Sequence, residues 1–254
     1  MNNQHINRYS RQIRLDQIGK LGQQKIIDST ILIIGIGGLG SPAAMYLAAS
    51  GVGKLIISDF DIVEESNLQR QIIHTNHAIG DNKVDSAKNS IKALNPHCKV
   101  ETINYQIDLD ELRAIINRVD LVLDCSDNFP TRFEVNRYCV ELATPLVSGA
   151  AIRLEGQILS YQPQAESPCY QCLYSESVYE NAESCEMDGI LGPVVGVIGT
   201  MQALQALMIL TDNAASFVGK LLLFDAAAME WQQIKLSKNP KCPVCASNKS
   251  SPNK

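Results

Sequence analysis

A five-residue apolar run, Thr30-Ile31-Leu32-Ile33-Ile34, is followed at once by Gly35-Ile36-Gly37-Gly38-Leu39-Gly40. An unbroken run of apolar, mostly β-branched residues suits a strand covered on both faces, the condition of a central strand in a parallel sheet. The glycine spacing is GxGxxG. A small-residue helical segment, SPAAMYLAAS, comes next, and Asp59 ends the following apolar strand segment, KLIISDFD, about twenty residues on. In this setting Gly35 and Gly37, with Gly38 beside them, allow a tight turn and close backbone approach to a phosphate. Gly40 allows close helix-strand packing, and the free N–H groups attract an anion. Asp59, with Asp61 next to it, is placed to accept hydrogen bonds from ribose hydroxyls.

The alternation continues. A polar segment runs from Ile62 to Asp81, and a helix ends near Asn95-Pro96. Further strands are expected at Val100 to Ile103, Asp120 to Asp127 and Pro145 to Ala151, the first two separated by the helical pattern DLDELRAIINRV. The expected fold is α/β: a doubly wound, mainly parallel Rossmann-like sheet, preceded by a polar helical arm. Beyond residue 151 the pattern changes to short alternating segments, EGQILSYQ and KLLLFDAAAMEWQQIKL, which predict a smaller antiparallel layer continuing the same body. The division expected is 1–150 for the nucleotide-binding part and 151–254 for the remainder, within one family domain overall.

With 45% hydrophobic residues the chain can bury a substantial core. A net charge of -5 and the absence of any basic run argue against nucleic-acid or anionic-membrane surfaces, which need clustered cations. The N-terminus lacks the features of a secretion signal, which gives the expectation of a cytoplasmic protein. The uncharged stretch from Gly189 to Leu210 is long enough to span a bilayer. Pro193, its glycines, Gln202 and Gln205 weaken its hydropathy, so a buried loop and core helix at a subunit interface is the better expectation.

The nucleotide is not identified by the glycine loop alone. That motif with Asp59 also suits a nicotinamide-dependent dehydrogenase carrying a structural zinc. No GxxxxGK[ST] sequence is present, so a triphosphate would need cations from elsewhere. The segment Glu65-Ser66-Asn67-Leu68-Gln69-Arg70-Gln71 and Lys83 follow the second strand, at the edge where doubly wound sheets bind ligands. Asp127 and Asn128 end a later strand at that edge, where a hard oxygen ligand suits magnesium.

Eight cysteines in a chain read as intracellular point to reduced thiols or metal ligands. Cys169-x-x-Cys172 and Cys242-x-x-Cys245 have the spacing of a four-thiolate structural zinc site, with redox chemistry the competing reading. Cys98, Cys125 and Cys139 read as half-buried packing residues. His74 and His77 have the spacing of one helix face and are assigned to the surface or to packing.

Together RYSRQIRL, GIGGLG, SDFDIVEESNLQRQ, Lys83, LDCSDN, LVSGAAIRLEGQ, PCYQC, GPVVGVIGTMQA and CPVC resemble the ThiF/MoeB/HesA adenylyltransferases, bacterial relatives of the ubiquitin-activating enzymes, over nearly the whole chain. The resemblance implies ATP-dependent adenylation of the C-terminal glycine of a ubiquitin-like sulfur-carrier protein, of either the molybdopterin-synthase or the thiamine-thiazole pathway. It implies that Asp59 holds the ribose, that Asn67, Arg70 and Lys83 hold the triphosphate, and that Asp127 coordinates magnesium. Arg11 looks like the arginine that reaches into a neighbouring subunit's site, which implies a homodimer. Cys185 aligns with a cysteine implicated in a covalent step with the carrier; a plain loop residue is the alternative. A separate sulfurtransferase or cysteine desulfurase is the expected sulfur donor.

Overall fold

The computed structural model describes residues 1, 3–163, 167–175 and 189–246. Three N-terminal helices, α1 (Asn3–Arg8), α2 (Ser10–Ile13) and α3 (Gly19–Asp28), lead into β1 (Thr30–Ile34). There follow α4 (Gly40–Ser50), β2 (Lys54–Ser58), α5 (Lys83–Leu94), β3 (Lys99–Ile103), α6 (Leu109–Ile116), β4 (Leu121–Asp124), α7 (Phe129–Glu141) and β5 (Leu146–Ile152). The chain continues through β6 (Glu155–Tyr161), a short α8 (Tyr170–Leu173), α9 (Gly192–Leu210), β7 (Lys220–Asp225) and β8 (Glu230–Lys235). These strands form one eight-stranded sheet in the order β3-β2-β1-β4-β5-β6-β7-β8. The five from β3 to β5 are parallel, and β6, β7 and β8 join antiparallel. The expected α/β architecture is therefore present, and β5 carries the sheet across residue 150 without a break.

Alternation along β1 explains why its sequence is apolar throughout. Ile31 and Ile33 face the layer containing α4, α5 and α9, whereas Leu32 and Ile34 face the layer of α6 and α7. Burying a side chain of this kind contributes roughly 1.5–3 kcal/mol, so a polar residue in β1 would be costly on either face.

The uncharged stretch forms α9, which is a core helix: half of it is buried, and it lies against α4, β5 and β6. Its two glutamines are bonded into the sheet. Gln202 Nε2 donates to the backbone oxygens of Asp124 (2.9 Å) and Val147 (3.2 Å), and the Gln205 side-chain oxygen accepts from the Ser160 hydroxyl at 2.6 Å. Close helix contact needs Gly199, where a Cβ would stand 2.1 Å from the Leu39 carbonyl oxygen.

Three expectations are corrected. The strand expected to reach Asp127 stops at Asp124, because that carboxylate folds back to accept from the Ser126 amide (3.1 Å) and hydroxyl (2.6 Å). His74 and His77 do not share a helix: the segment makes 3-10 turns, with His74 buried and His77 exposed. Cys98, Cys125 and Cys139 are buried rather than half-buried.

Candidate active site and metal knuckle

The glycine loop leaves β1 at the carboxyl edge of the sheet. Gly35 has φ +87°, and a Cβ there would lie 2.8 Å from the Cys125 carbonyl oxygen, so the loop crosses directly over the end of β4. At Gly40 a Cβ would stand 2.0 Å from the Gly35 carbonyl oxygen, and at Gly38 it would stand 2.9 Å from Val195 of α9. Gly37 is the open one: among the described residues only Gln71 comes near, at 3.5 Å from a Cβ placed there. Among the described residues, the N–H groups of Gly37, Gly38 and Leu39 donate to no protein acceptor. Such a row of free amides at the start of α4 attracts anions.

Asp59 anchors this loop. Its carboxylate accepts from the amides of Ile36 (2.9 Å) and Asp61 (3.0 Å), one on each oxygen. A carboxylate has about four acceptor positions, so both oxygens keep capacity for a hydroxylated ligand. Burial pushes the Asp59 carboxyl above its ordinary range, opposed by the Lys83 cation and the two amides.

Lys83 is the first residue of α5 and is 6% exposed, yet Asp61, its ion-pair partner at 2.7 Å, faces solvent. A buried ammonium is costly unless it is paired, which suits a cation that meets an anionic ligand. Asn67 is buried in a 3-10 turn, where its side-chain oxygen accepts from the Glu64 amide at 3.3 Å. Arg70 donates to the Ser66 backbone oxygen at 3.0 Å. Ser66 and Gln69 are exposed and Leu68 is half-buried, and the Gln69 backbone abuts Gly192, at the start of α9. Asp127 is exposed beyond β4. Asn128 caps α7, accepting from the Thr131 amide at 3.0 Å.

The structure thus gathers the glycine loop, Asp59, Asp61, Asn67, Arg70, Lys83, Asp127 and Asn128 around the carboxyl ends of β1, β2 and β4. Arg11 is elsewhere. It is exposed on α2, which is pinned near the amino ends of the strands by Gln12 donating to the Ser50 carbonyl at 3.0 Å. Cys185 lies outside the described residues.

Two residues support the loop in ways the sequence reading did not assign: Gln71, read there only as the end of the 65–71 segment, and His74, assigned there to the surface or to packing. Gln71 is 4% exposed and adjoins Gly37, and among the described residues its side-chain oxygen has no hydrogen-bond partner. His74 contacts the Ile36 carbonyl oxygen (3.3 Å) and the Ser86 hydroxyl (2.9 Å), so it braces the loop from below. Their signal in the sequence was position: polar residues within a segment that must pack against the loop.

Cys169, Cys172, Cys242 and Cys245 converge from distant parts of the chain, with all four sulfurs within 4.8 Å of one another. The Cys169–Cys242 and Cys172–Cys245 separations are 3.6 and 3.3 Å. Four thiolates at about 2.3 Å from a tetrahedral ion need edges of this order, so the group fits zinc. Asn136 of α7 orients it, donating to Cys169 Sγ at 3.7 Å and accepting from the Tyr170 amide at 2.8 Å.

A doubly wound sheet with a glycine loop of free amides, an acidic residue ending the second strand and a buried lysine beside it has the architecture of a nucleotide-binding α/β protein. The chain belongs to the ThiF family, whose model matches residues 9–244. It is 44% identical to the molybdopterin-synthase adenylyltransferase of Escherichia coli over 96% of this chain and 98% of that protein. It is 42% identical to the sulfur carrier protein ThiS adenylyltransferase of the same organism, over 99% of this chain and 100% of that protein. In fold it is similar to the crystal structure of E. coli MccB with ATP, with a TM-score of 0.80 at 24% identity, covering 94% of this chain and 74% of that one.

Proposed function

We propose that this chain uses ATP to adenylate the C-terminal glycine of a ubiquitin-like sulfur-carrier protein, releasing pyrophosphate and leaving the carrier as an acyl-adenylate for later thiocarboxylation. The observation that carries the reading is the cation-lined glycine loop: free amides at Gly37 to Leu39 beside a buried Lys83 whose counter-ion is exposed. Two adenylyltransferase relatives matched over essentially their full lengths support it. No relative reported above supports the dehydrogenase alternative.

The carrier's terminal carboxylate is already ionised at neutral pH and attacks the α-phosphorus without a general base. The glycine amides, Asn67, Arg70 and Lys83 hold the phosphates and stabilise the charge that develops as pyrophosphate leaves. Asp59 orients the ribose. Asp127 would hold magnesium, which supplies further charge neutralisation on the phosphates. The four-cysteine knuckle would hold zinc in a closed, structural sphere. Residues 151–254 supply the antiparallel surface for the carrier, the enzyme acts in the cytoplasm as a homodimer, and a separate sulfurtransferase or cysteine desulfurase completes sulfur transfer.

The test is ATP-pyrophosphate exchange with magnesium and a Gly-Gly-ending carrier of either pathway. Exchange that depends on the carrier is expected, with the preferred carrier naming the pathway. Arg70→Ala and Asp127→Ala each lower exchange by about 100-fold or more while the melting temperature holds. Carrier-independent hydrolysis, or full activity in either variant, would overturn the assignment.

A further inference from the structure

Arg132, in the first half of α7, is 6% exposed and takes no part in the chemistry above. Its guanidinium donates to the Ser126 carbonyl oxygen and lies beside the Tyr170 side chain. A buried arginine of this kind is retained only where its donors are used, because desolvating an unpaired cation is costly. Burial opposes its charge, and the nearby Asp124 carboxylate and Tyr170 outweigh that opposition.

The position of its partners gives the arrangement meaning. Ser126 directly precedes Asp127, and Tyr170 sits between the knuckle ligands Cys169 and Cys172. On the Ser126 side, the turn is also held by local bonds to Asp124, whose other oxygen accepts from the Ser148 hydroxyl at 2.8 Å. Beyond it, Asp127 is exposed. Arg132 is therefore the link that reaches from the cysteine knuckle to the backbone carrying Asp127.

We propose that Arg132 is a positioning residue: packed beside Tyr170 of the knuckle, it grips the Ser126 carbonyl and fixes where Asp127 stands, so that the structural knuckle helps set the geometry of the nucleotide site. The consequence for nucleotide binding rests on the reading that Asp127 serves the nucleotide; the clamp itself does not.

The experiment uses the full chain and three variants, Tyr170→Phe, Arg132→Lys and Arg132→Met. Tyr170→Phe removes the hydroxyl while keeping the ring packed, so it should retain wild-type zinc content and near-wild-type melting temperature. It should nevertheless show faster hydrogen exchange over residues 125–128 and about 10-fold weaker MgATP binding, the loss typical when a supporting partner is removed. Arg132→Met should weaken MgATP further, with Arg132→Lys between it and the wild type, and the rise should fall on KM for ATP more than on kcat. If Tyr170→Phe keeps wild-type exchange over 125–128, the clamp is refuted. If exchange rises there while MgATP affinity stays unchanged in both Tyr170→Phe and a folded Arg132→Met, the coupling to the nucleotide site is refuted. A wild-type protein that binds no MgATP would sink the functional reading, and the exchange measurement would still decide the clamp.

Discussion

Gly40 and Gly37 share a motif but do different work. At Gly40 an added methyl group meets the Gly35 carbonyl oxygen at 2.0 Å, which is backbone and cannot step aside. Gly40→Ala should therefore cost about 1–3 kcal/mol of stability, seen as a lower melting temperature. At Gly37 the same methyl meets only the Gln71 side chain at 3.5 Å, an ordinary contact. Gly37→Ala should melt within about 0.5 kcal/mol of the wild type, since it creates no clash. On the proposed reading it should still weaken ATP binding, because the methyl would occupy the face assigned to the phosphates. Equal melting losses in the two variants, measured side by side, would contradict this division. The motif marks both glycines in the sequence; which one guards the fold and which one the ligand is visible only from what lies opposite each.

At the scale of elements, the glycine loop depends on the turn segment that passes beneath it. His74 Nε2 faces the Ile36 carbonyl oxygen, so it must donate there, which leaves Nδ1 to accept from the Ser86 hydroxyl in a neutral ring. Burial pushes its pKa down from 6.5 to about 4, with the Lys83 cation acting in the same direction and the Ile36 hydrogen bond against it. The folded pKa lies below the unfolded one, so the unfolded chain binds the proton more readily. The stability from neutral His74 is therefore complete above pH 6.5 and is lost as pH falls from there toward 4. Urea midpoints across that window should decline more steeply for the wild type than for His74→Asn, and parallel curves would refute the linkage. The knuckle gives a second test at this scale. If the knuckle holds a divalent ion as proposed, Cys172→Ser should lose it, measured by metal analysis, and lower the melting temperature, because three thiolates leave the sphere open. Retention of full metal content would show that the four sulfurs do not act as one site.

For the whole molecule, the arm carrying Arg11 is docked firmly: Tyr9 is buried, its hydroxyl accepts from Asn95 Nδ2 at 2.9 Å, and Gln12 is bonded to both Gln23 and the Ser50 carbonyl. That docking leaves Arg11 exposed, away from this chain's own glycine loop. If it serves a neighbouring subunit, Arg11→Ala and Asp127→Ala should each be inactive alone yet recover about a quarter of wild-type exchange after mixing and reassociation. Half of the resulting dimers would be mixed, each with one complete site. No recovery, with subunit exchange verified by mass, would place Arg11 outside the site.

Much of this was legible in the chain itself. The apolar run before GxGxxG, with Asp59 to follow, determined a parallel sheet with a row of free amides at its carboxyl edge, because only a doubly covered strand tolerates β1 and that glycine loop leaves its N–H groups unpaired. The CxxC pairs likewise declared a four-thiolate group, since both ligand identity and spacing are local properties. What tertiary structure alone decided were the partners of residues far apart in sequence. Asp124 looked like part of a strand that continues, until its carboxylate was seen folded onto Ser126. His74 looked like half of a helical pair, until Ile36 and Ser86 appeared on its two ring nitrogens. Arg132 carried no motif at all. A buried charge is tolerated only by the groups that surround it, and for Arg132 those are Ser126, Asp124 and Tyr170, assembled from β4, its following turn and the knuckle. Periodicity and spacing report on the residue and its neighbours in the chain; the compensation of a buried charge is settled by packing.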